Sequence, residues 1–174
     1  VNYLKYKQNI KLPFLLPPIH TSEGLNGIYR QLNDKQYITY TLRDYGFMAF
    51  RNSKQKDIDH SLAMARKLNC ELVIVPDEIQ KINDYEIDPS ILISFSGRKN
   101  MKDRISLYSK SIVNIFRPAG PAFISTFIEN SKSLIIDFSE GGPDCNDDYY
   151  KKEYDIEVGE QPYLRLGSYL FWKR

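Results

Sequence analysis

Only two of the 174 residues are cysteine, Cys70 and Cys145. Two cysteines make neither a disulfide framework nor a metal-ligand set, and reduced thiols are the simpler reading. Histidine is equally scarce: His20 lies in a proline-rich arm and His60 in a helix, two positions past Ile58 and off its buried stripe. Two histidines so far apart, with no cysteine near either, do not make a zinc site. No Ser-His-Asp or Cys-His arrangement can be assembled from the chain. No apolar run approaches the roughly 18 to 20 residues that span a bilayer, and the first residues, VNYLKYKQNIK, lack a signal-peptide core. The expectation is a chain that is not transmembrane, with the cytoplasm as its default location. It begins with Val1 instead of Met, so the expectation is either a chain trimmed for expression or a piece of a longer polypeptide.

Charge of one sign is also missing. The net charge is +2 and the basic residues are scattered, without a block. That argues against nucleic acid as the main partner. Glycine-rich phosphate signatures are absent too. The connection after the first predicted strand, RDYGFMAFRNS, holds a single Gly46, and no Gly-Lys-Ser or Gly-Lys-Thr loop occurs. A hydride-transfer dehydrogenase and a P-loop ATPase are thereby disfavoured. What remains is ordinary for a soluble globular chain: 42% hydrophobic and 26% charged residues, at a length that suits one domain with a full core.

The most informative stretch is IVNIFRPAGPAFISTFIENSKSLIIDF, Ile112 to Phe138. Ile112–Phe116 has the length and apolarity of a strand, broken by Arg117-Pro118. Gly120 suits a helix start, with Pro121 at the first helical position. Phe123, Ile124, Phe127 and Ile128 repeat at helical spacing, and Leu134–Phe138 supplies the next strand. Such a turn suits an anion, or it is a tight strand-to-helix connection with no ligand; both readings stand at this point.

Upstream, residues 1–35 read as an extended arm or linker with one helical turn around Leu25–Leu32. YITYTL (Tyr37–Leu42) is a strand. A helix follows over about Lys54–Asn69, with Ser53 as N-cap and Ile58, Leu62, Ala65 and Leu68 facing inward. ELVIVP (Glu71–Pro76) is the second strand, so strand, helix and strand form a βαβ unit and the sheet is parallel. Asp77–Ser90 is a loop with at most a short helix, Ile91–Phe95 a third strand and Ser96–Lys99 a basic turn. Asn100 caps a helix to Ser111 whose Met101, Ile105, Tyr108 and Ile112 share a face. After Phe138 the pattern weakens until Tyr169–Trp172, a closing strand or aromatic patch. The expected fold is α/β and Rossmann-like, with about five mostly parallel strands and helices on both faces. Residues 36–140 form its main domain and residues 141–174 a C-terminal loop and closing strand.

In an open parallel sheet, ligands bind beyond the carboxyl ends of the strands. The connections there carry Arg43 and Arg51, then Arg98 with Lys99, then Arg117. Guanidinium groups fork onto phosphates, so this set, with the turn Ala119-Gly120-Pro121, suits a diphosphate. Asp57 and Asp59, two apart on a helix, point about 200° apart and do not share a metal.

These residues carry a resemblance. YTLRDYGFMAFRNS, the following amphipathic helix, ELVIVPD, DRISLYSKSIVNIFRPAGPAFISTF and EVGEQPYLRLGSYLFWKR together resemble the C-terminal half of a bacterial surface-polysaccharide glycosyltransferase of the GT-B type, fucosyltransferase-like, over residues 36–174. The resemblance implies a domain that holds a nucleotide diphosphate sugar without a bound metal or cofactor and transfers its sugar to a glycan acceptor. By that likeness Arg43 contacts the diphosphate with Arg51 in support, and Ala119, Gly120 and Pro121 form the diphosphate turn. Asn114, Arg98 and Arg104 stand for base, ribose or structural contacts.

The chain departs from the pattern in its first half. A GT-B enzyme uses two such domains with the acceptor on the first, and here a 35-residue arm stands in that place. Two explanations follow: a nucleotide-binding half separated from its partner, or a reduced relative without catalysis. No residue is identified as the base for the acceptor hydroxyl. The alternatives from other classes are a non-catalytic Rossmann-like module for a nucleotide or a protein, and a small-molecule enzyme of another kind on the same scaffold.

Overall fold

The computed structural model describes residues 15–77, 81–128, 131–136, 148, 151–152 and 169–173. Its centre is β1 (Tyr37–Leu42), all six residues of which are buried. A strand covered on both faces needs apolar or hydrogen-bonded side chains at every position, which is why YITYTL shows no polar alternation. Beside it lies β2 (Glu71–Pro76), parallel and in register from Tyr37 opposite Glu71 to Leu42 opposite Pro76. On its other side β1 pairs with β4 (Asn114–Phe116). β3 (Leu92–Ile93) joins β2, while β5 (Lys132–Ile136) and β6 (Tyr169–Lys173) continue beyond β4. The order β3-β2-β1-β4-β5-β6 makes a six-stranded sheet, parallel throughout. The expected Rossmann-like α/β fold is therefore present, and Tyr169–Trp172, expected as a closing strand or aromatic patch, lies in β6.

Side chains alternate across the sheet and feed two cores. Ile38, Tyr40, Leu42, Ile74 and Ile115 face α2 (Gln55–Lys67), whose Ile58 and Ala65 are buried against them. Tyr37, Val73, Val75, Phe116 and Ile135 face the opposite layer: α1 (Glu23–Leu32), α4 (Met101–Lys110) and α5 (Gly120–Thr126). Full burial of one such large apolar side chain is worth about 1.5–3 kcal/mol. α3 (Phe95–Lys99) sits tightly above this core, because a Cβ on Gly97 would meet Leu107 Cδ1 at 3.0 Å.

Several local expectations are corrected. The segment around Leu25–Leu32 forms ten helical residues, not one turn, and Leu25, Ile28 and Leu32 enter the core. Ser22 caps this helix, and its N–H and hydroxyl both donate to Asp103 on α4. The Ile91–Phe95 strand shortens to two residues because Ser94 accepts the Gly97 N–H and starts α3, where a turn was expected. Lys54, not Ser53, is the N-cap of α2. Leu68 lies outside α2 and is exposed, since Asn69 adopts φ 53° and turns the chain away. Met101 is exposed at the first turn of α4. Gly120 opens α5, which moves Pro121 to the second helical position. β5 begins two residues before the expected strand, and Asp137 and Phe138 lie outside the described residues, as does Cys145.

Candidate functional site at the carboxyl edge of the sheet

The sheet order reverses beside β1: its βαβ partner β2 lies on one side and β4, reached through α3 and α4, on the other. The crevice beyond the carboxyl ends of β1 and β4 is thus the topological switch point, where doubly wound sheets hold ligands. Residues 43–54 form one wall. Arg43, only 7% exposed, is the organiser of this loop. Its Nη1 donates to Met48 O at 3.2 Å and to Asn52 Oδ1, and its Nη2 to Phe47 O at 3.0 Å. Asn52 accepts the Tyr45 N–H and donates to Tyr45 O and Asp44 Oδ1. Tyr85 closes the outside, its one hydroxyl hydrogen shared between Asp44 Oδ2 at 3.2 Å and Ser53 O at 3.1 Å. Burial, then the neighbouring Arg51, pull Arg43 below the usual guanidinium value. The loop backbone is held from within, Met48 at φ 53° included, while Phe47 is 77% exposed.

Next to it, at the end of β2, lies Asp77. Its N–H bonds to Leu42 O, which fastens it to β1. Arg104 of α4 donates Nη1 and Nη2 to Asp77 Oδ1, both at 3.2 Å, and Nε to Gly97 O at 2.8 Å. Arg98 of α3 donates Nε to the Asp77 main-chain oxygen. Burial outweighs the pull of Arg104, Arg43 and Arg98 and holds the Asp77 carboxyl above the usual carboxylate range. Arg43, Arg98 and Arg104 are therefore gathered around one carboxylate.

Arg117 is placed elsewhere. It follows β4 on the alternate register, so its side chain enters the α2 face, where it is 1% exposed. Nε donates to Asp57 Oδ2 at 2.9 Å and Nη2 to Asp57 Oδ1 at 3.2 Å. The same carboxylate accepts the Lys54 N–H at 2.8 Å and the Tyr40 hydroxyl at 3.4 Å. This one buried pair ties the start of α2 to the end of β4, and so joins the two walls of the crevice. Ala119 is the N-cap residue of α5, and a Cβ on Gly120 would meet nothing within 4 Å. Asn114 lies within the sheet: its Oδ1 accepts from Thr39, and its Nδ2 donates to Tyr108 O and Ser131 Oγ. Its role is structural.

Asp57 and Asp77 were missed as site residues in the sequence. A helix-start Asp three residues past its cap was the available signal for Asp57, and an acid directly after a buried strand was that for Asp77. His20 and His60 are exposed, and Asp59 faces solvent while Asp57 is buried, as helical spacing requires. A separate groove of about 350 Å³ lies between α2 and residues 86–91, lined by the apolar Ile58, Leu62, Ile87 and Ile91 and by Gln55, Asp59, Glu86 and Asp88. Its charged side chains, all acidic, have the wrong sign for a phosphate. Among the described residues no set of three or more His, Cys, Asp or Glu side chains is grouped to hold a metal ion, and no helix is long and apolar enough to cross a membrane. Comparison with family models, with curated proteins and with solved structures finds no match.

Proposed function

We propose that this chain is the sugar-nucleotide-binding half of a glycosyltransferase, which transfers a sugar from a nucleotide diphosphate sugar to a polysaccharide or other glycan acceptor. The observation that carries the reading is the arginine excess at the switch point. Arg43, Arg51, Arg98 and Arg104 meet there with Asp77 and Asp44. An anionic ligand is the species such an edge favours. In sugar transfer, negative charge develops on the leaving diphosphate, and guanidinium groups gathered at this edge would stabilise it electrostatically. The acceptor and its base belong to a second half or partner domain in this scheme.

A specific observation favours the alternative of a protein-binding module. Phe47 and Phe50 project from a loop whose backbone is already fixed, a presentation that suits a macromolecular surface. Thermal unfolding against UDP, GDP, CDP, dTDP and their sugars separates the two, because a ligand that binds only the folded state raises the midpoint. The glycosyltransferase reading expects a rise selective for one base. It also expects Arg98→Ala to cut affinity by about 10- to 150-fold, as for loss of a hydrogen bond to a charged group at about 1.5–3 kcal/mol. Exposed Arg98 leaves the unliganded midpoint nearly unchanged when removed. No rise with any of these compounds would favour the module.

A further inference from the structure

The groove of about 350 Å³ between α2 and residues 86–91 takes no part in the arginine-rich edge, and no arginine lines it. Its floor is hydrocarbon. Ile58 and Ile91 are 1% and 6% exposed, and Leu62 and Ile87 pack half-buried against the same core. Carboxylates stand on both walls, Asp59 on α2 and Glu86 and Asp88 opposite. Arg66 pairs with Asp88 at 2.9 Å. Asp59 accepts only the neutral Gln55 amide, and among the described residues no cation pairs with Asp59 or Glu86. The two walls are tied together by Gln55, whose Nε2 donates to Glu86 O at 2.9 Å and whose Oε1 accepts the Glu86 N–H at 3.0 Å.

We propose that this groove binds a linear polyamine, whose methylene segments lie on the isoleucine and leucine floor while its ammonium groups meet Asp59 and Glu86. The proposal is independent of the nucleotide reading. Charge excludes anions and favours cations, as a cleft lined by one sign of charge does. Spacing then selects among cations. A bare metal ion needs its ligands to converge, and the three carboxylates are not grouped to hold one. An extended peptide needs main-chain partners, and both backbone groups of Glu86 are already taken by Gln55. Hydrocarbon between separated carboxylates instead matches a chain that alternates methylene segments with charged nitrogens, and the volume lies within the range of small-ligand sites.

Calorimetric titration of the whole chain at low ionic strength, with spermidine beside hexaamminecobalt(III), tests this. The two are trications, and only spermidine carries methylene groups. Spermidine is expected to saturate one site and to bind about ten-fold more tightly, a gain that burial of about two methylene groups supplies. Asp59→Asn combined with Glu86→Gln removes two charges at exposed positions. It is expected to weaken spermidine about five-fold, as for the loss of two exposed ion pairs, and to leave the unliganded unfolding midpoint nearly unchanged. If the double variant fails to fold, Glu86→Gln alone is expected to weaken spermidine in the same direction. No saturable heat with spermidine, equal affinity for the two trications, or an unchanged affinity in the folded variant overturns the proposal.

Discussion

Arg117 and Asp57 form a more deeply buried ion pair than Arg104 and Asp77 among the described residues. Both side chains are nearly inaccessible, at 1% and 4% exposure, and Asp57 also satisfies Lys54 N–H and Tyr40. Removing one partner leaves the other charge buried, at a cost of about 3–5 kcal/mol, whereas replacing both with apolar residues is often far milder. Asp57→Ala is therefore expected to lower the urea-unfolding free energy by that amount, and Asp57→Leu with Arg117→Met to recover much of it. A loss below about 1 kcal/mol in the single variant would contradict the pairing. At this scale the sequence was half legible. Arg43, Arg98 and Arg117 could be placed after strands by pattern alone. Their partners could not, because Asp57 is 60 residues from Arg117, and Asp77 is 21 from Arg98 and 27 from Arg104. Local periodicity holds no record of such distances.

Among the elements, the loop of residues 43–54 is the one whose order must be maintained for any ligand at the edge. Tyr85 secures it from outside through Asp44 and Ser53, and Tyr85→Phe is expected to cost about 0.5–1.5 kcal/mol at neutral pH, the net worth of an ordinary hydrogen bond. Burial, with the charge of Asp44, pushes the Tyr85 hydroxyl up to about 12 from its ordinary value of 10.0. The folded state then holds this proton more tightly than the unfolded state, so the stabilisation is complete below pH 10 and is lost as the pH rises towards 12. The gap between wild type and Tyr85→Phe should narrow over that window, as measured by denaturant unfolding at stepped pH; a constant gap would contradict the assignment. Legibility varied among elements for physical reasons. β1 and β2 read correctly because strands buried on both faces are continuous apolar runs. The helix of Glu23–Leu32 was under-read because Pro17, Pro18, Gly24 and Gly27 speak against helix, although Ser22 and the Leu25, Ile28 and Leu32 stripe were there to be seen. Tertiary burial on α4 overrode that weak propensity.

At the scale of the molecule, the strand order does what no single residue does: it sets the loop after β1 and the turn after β4 on either side of one crevice. Parallel pairing followed from alternating strands and helices, but the order followed from nothing local, since it depends on which face each crossover takes. The sequence-based set of four arginines on one rim resolves into two groups for the same reason. Pleat alternation sends Arg43 towards the α3–α4 side and Arg117 towards α2. The ligand proposed for this edge is a nucleoside diphosphate. Its most direct test is amide chemical-shift mapping of the ¹⁵N-labelled chain titrated with UDP, GDP, CDP and dTDP. Saturable shifts are expected for one of them, concentrated at residues 43–53, Asp77, residues 97–99 and residues 117–122. Shifts centred instead on the groove between Gln55 and Asp88, or none with any of the four, would contradict it.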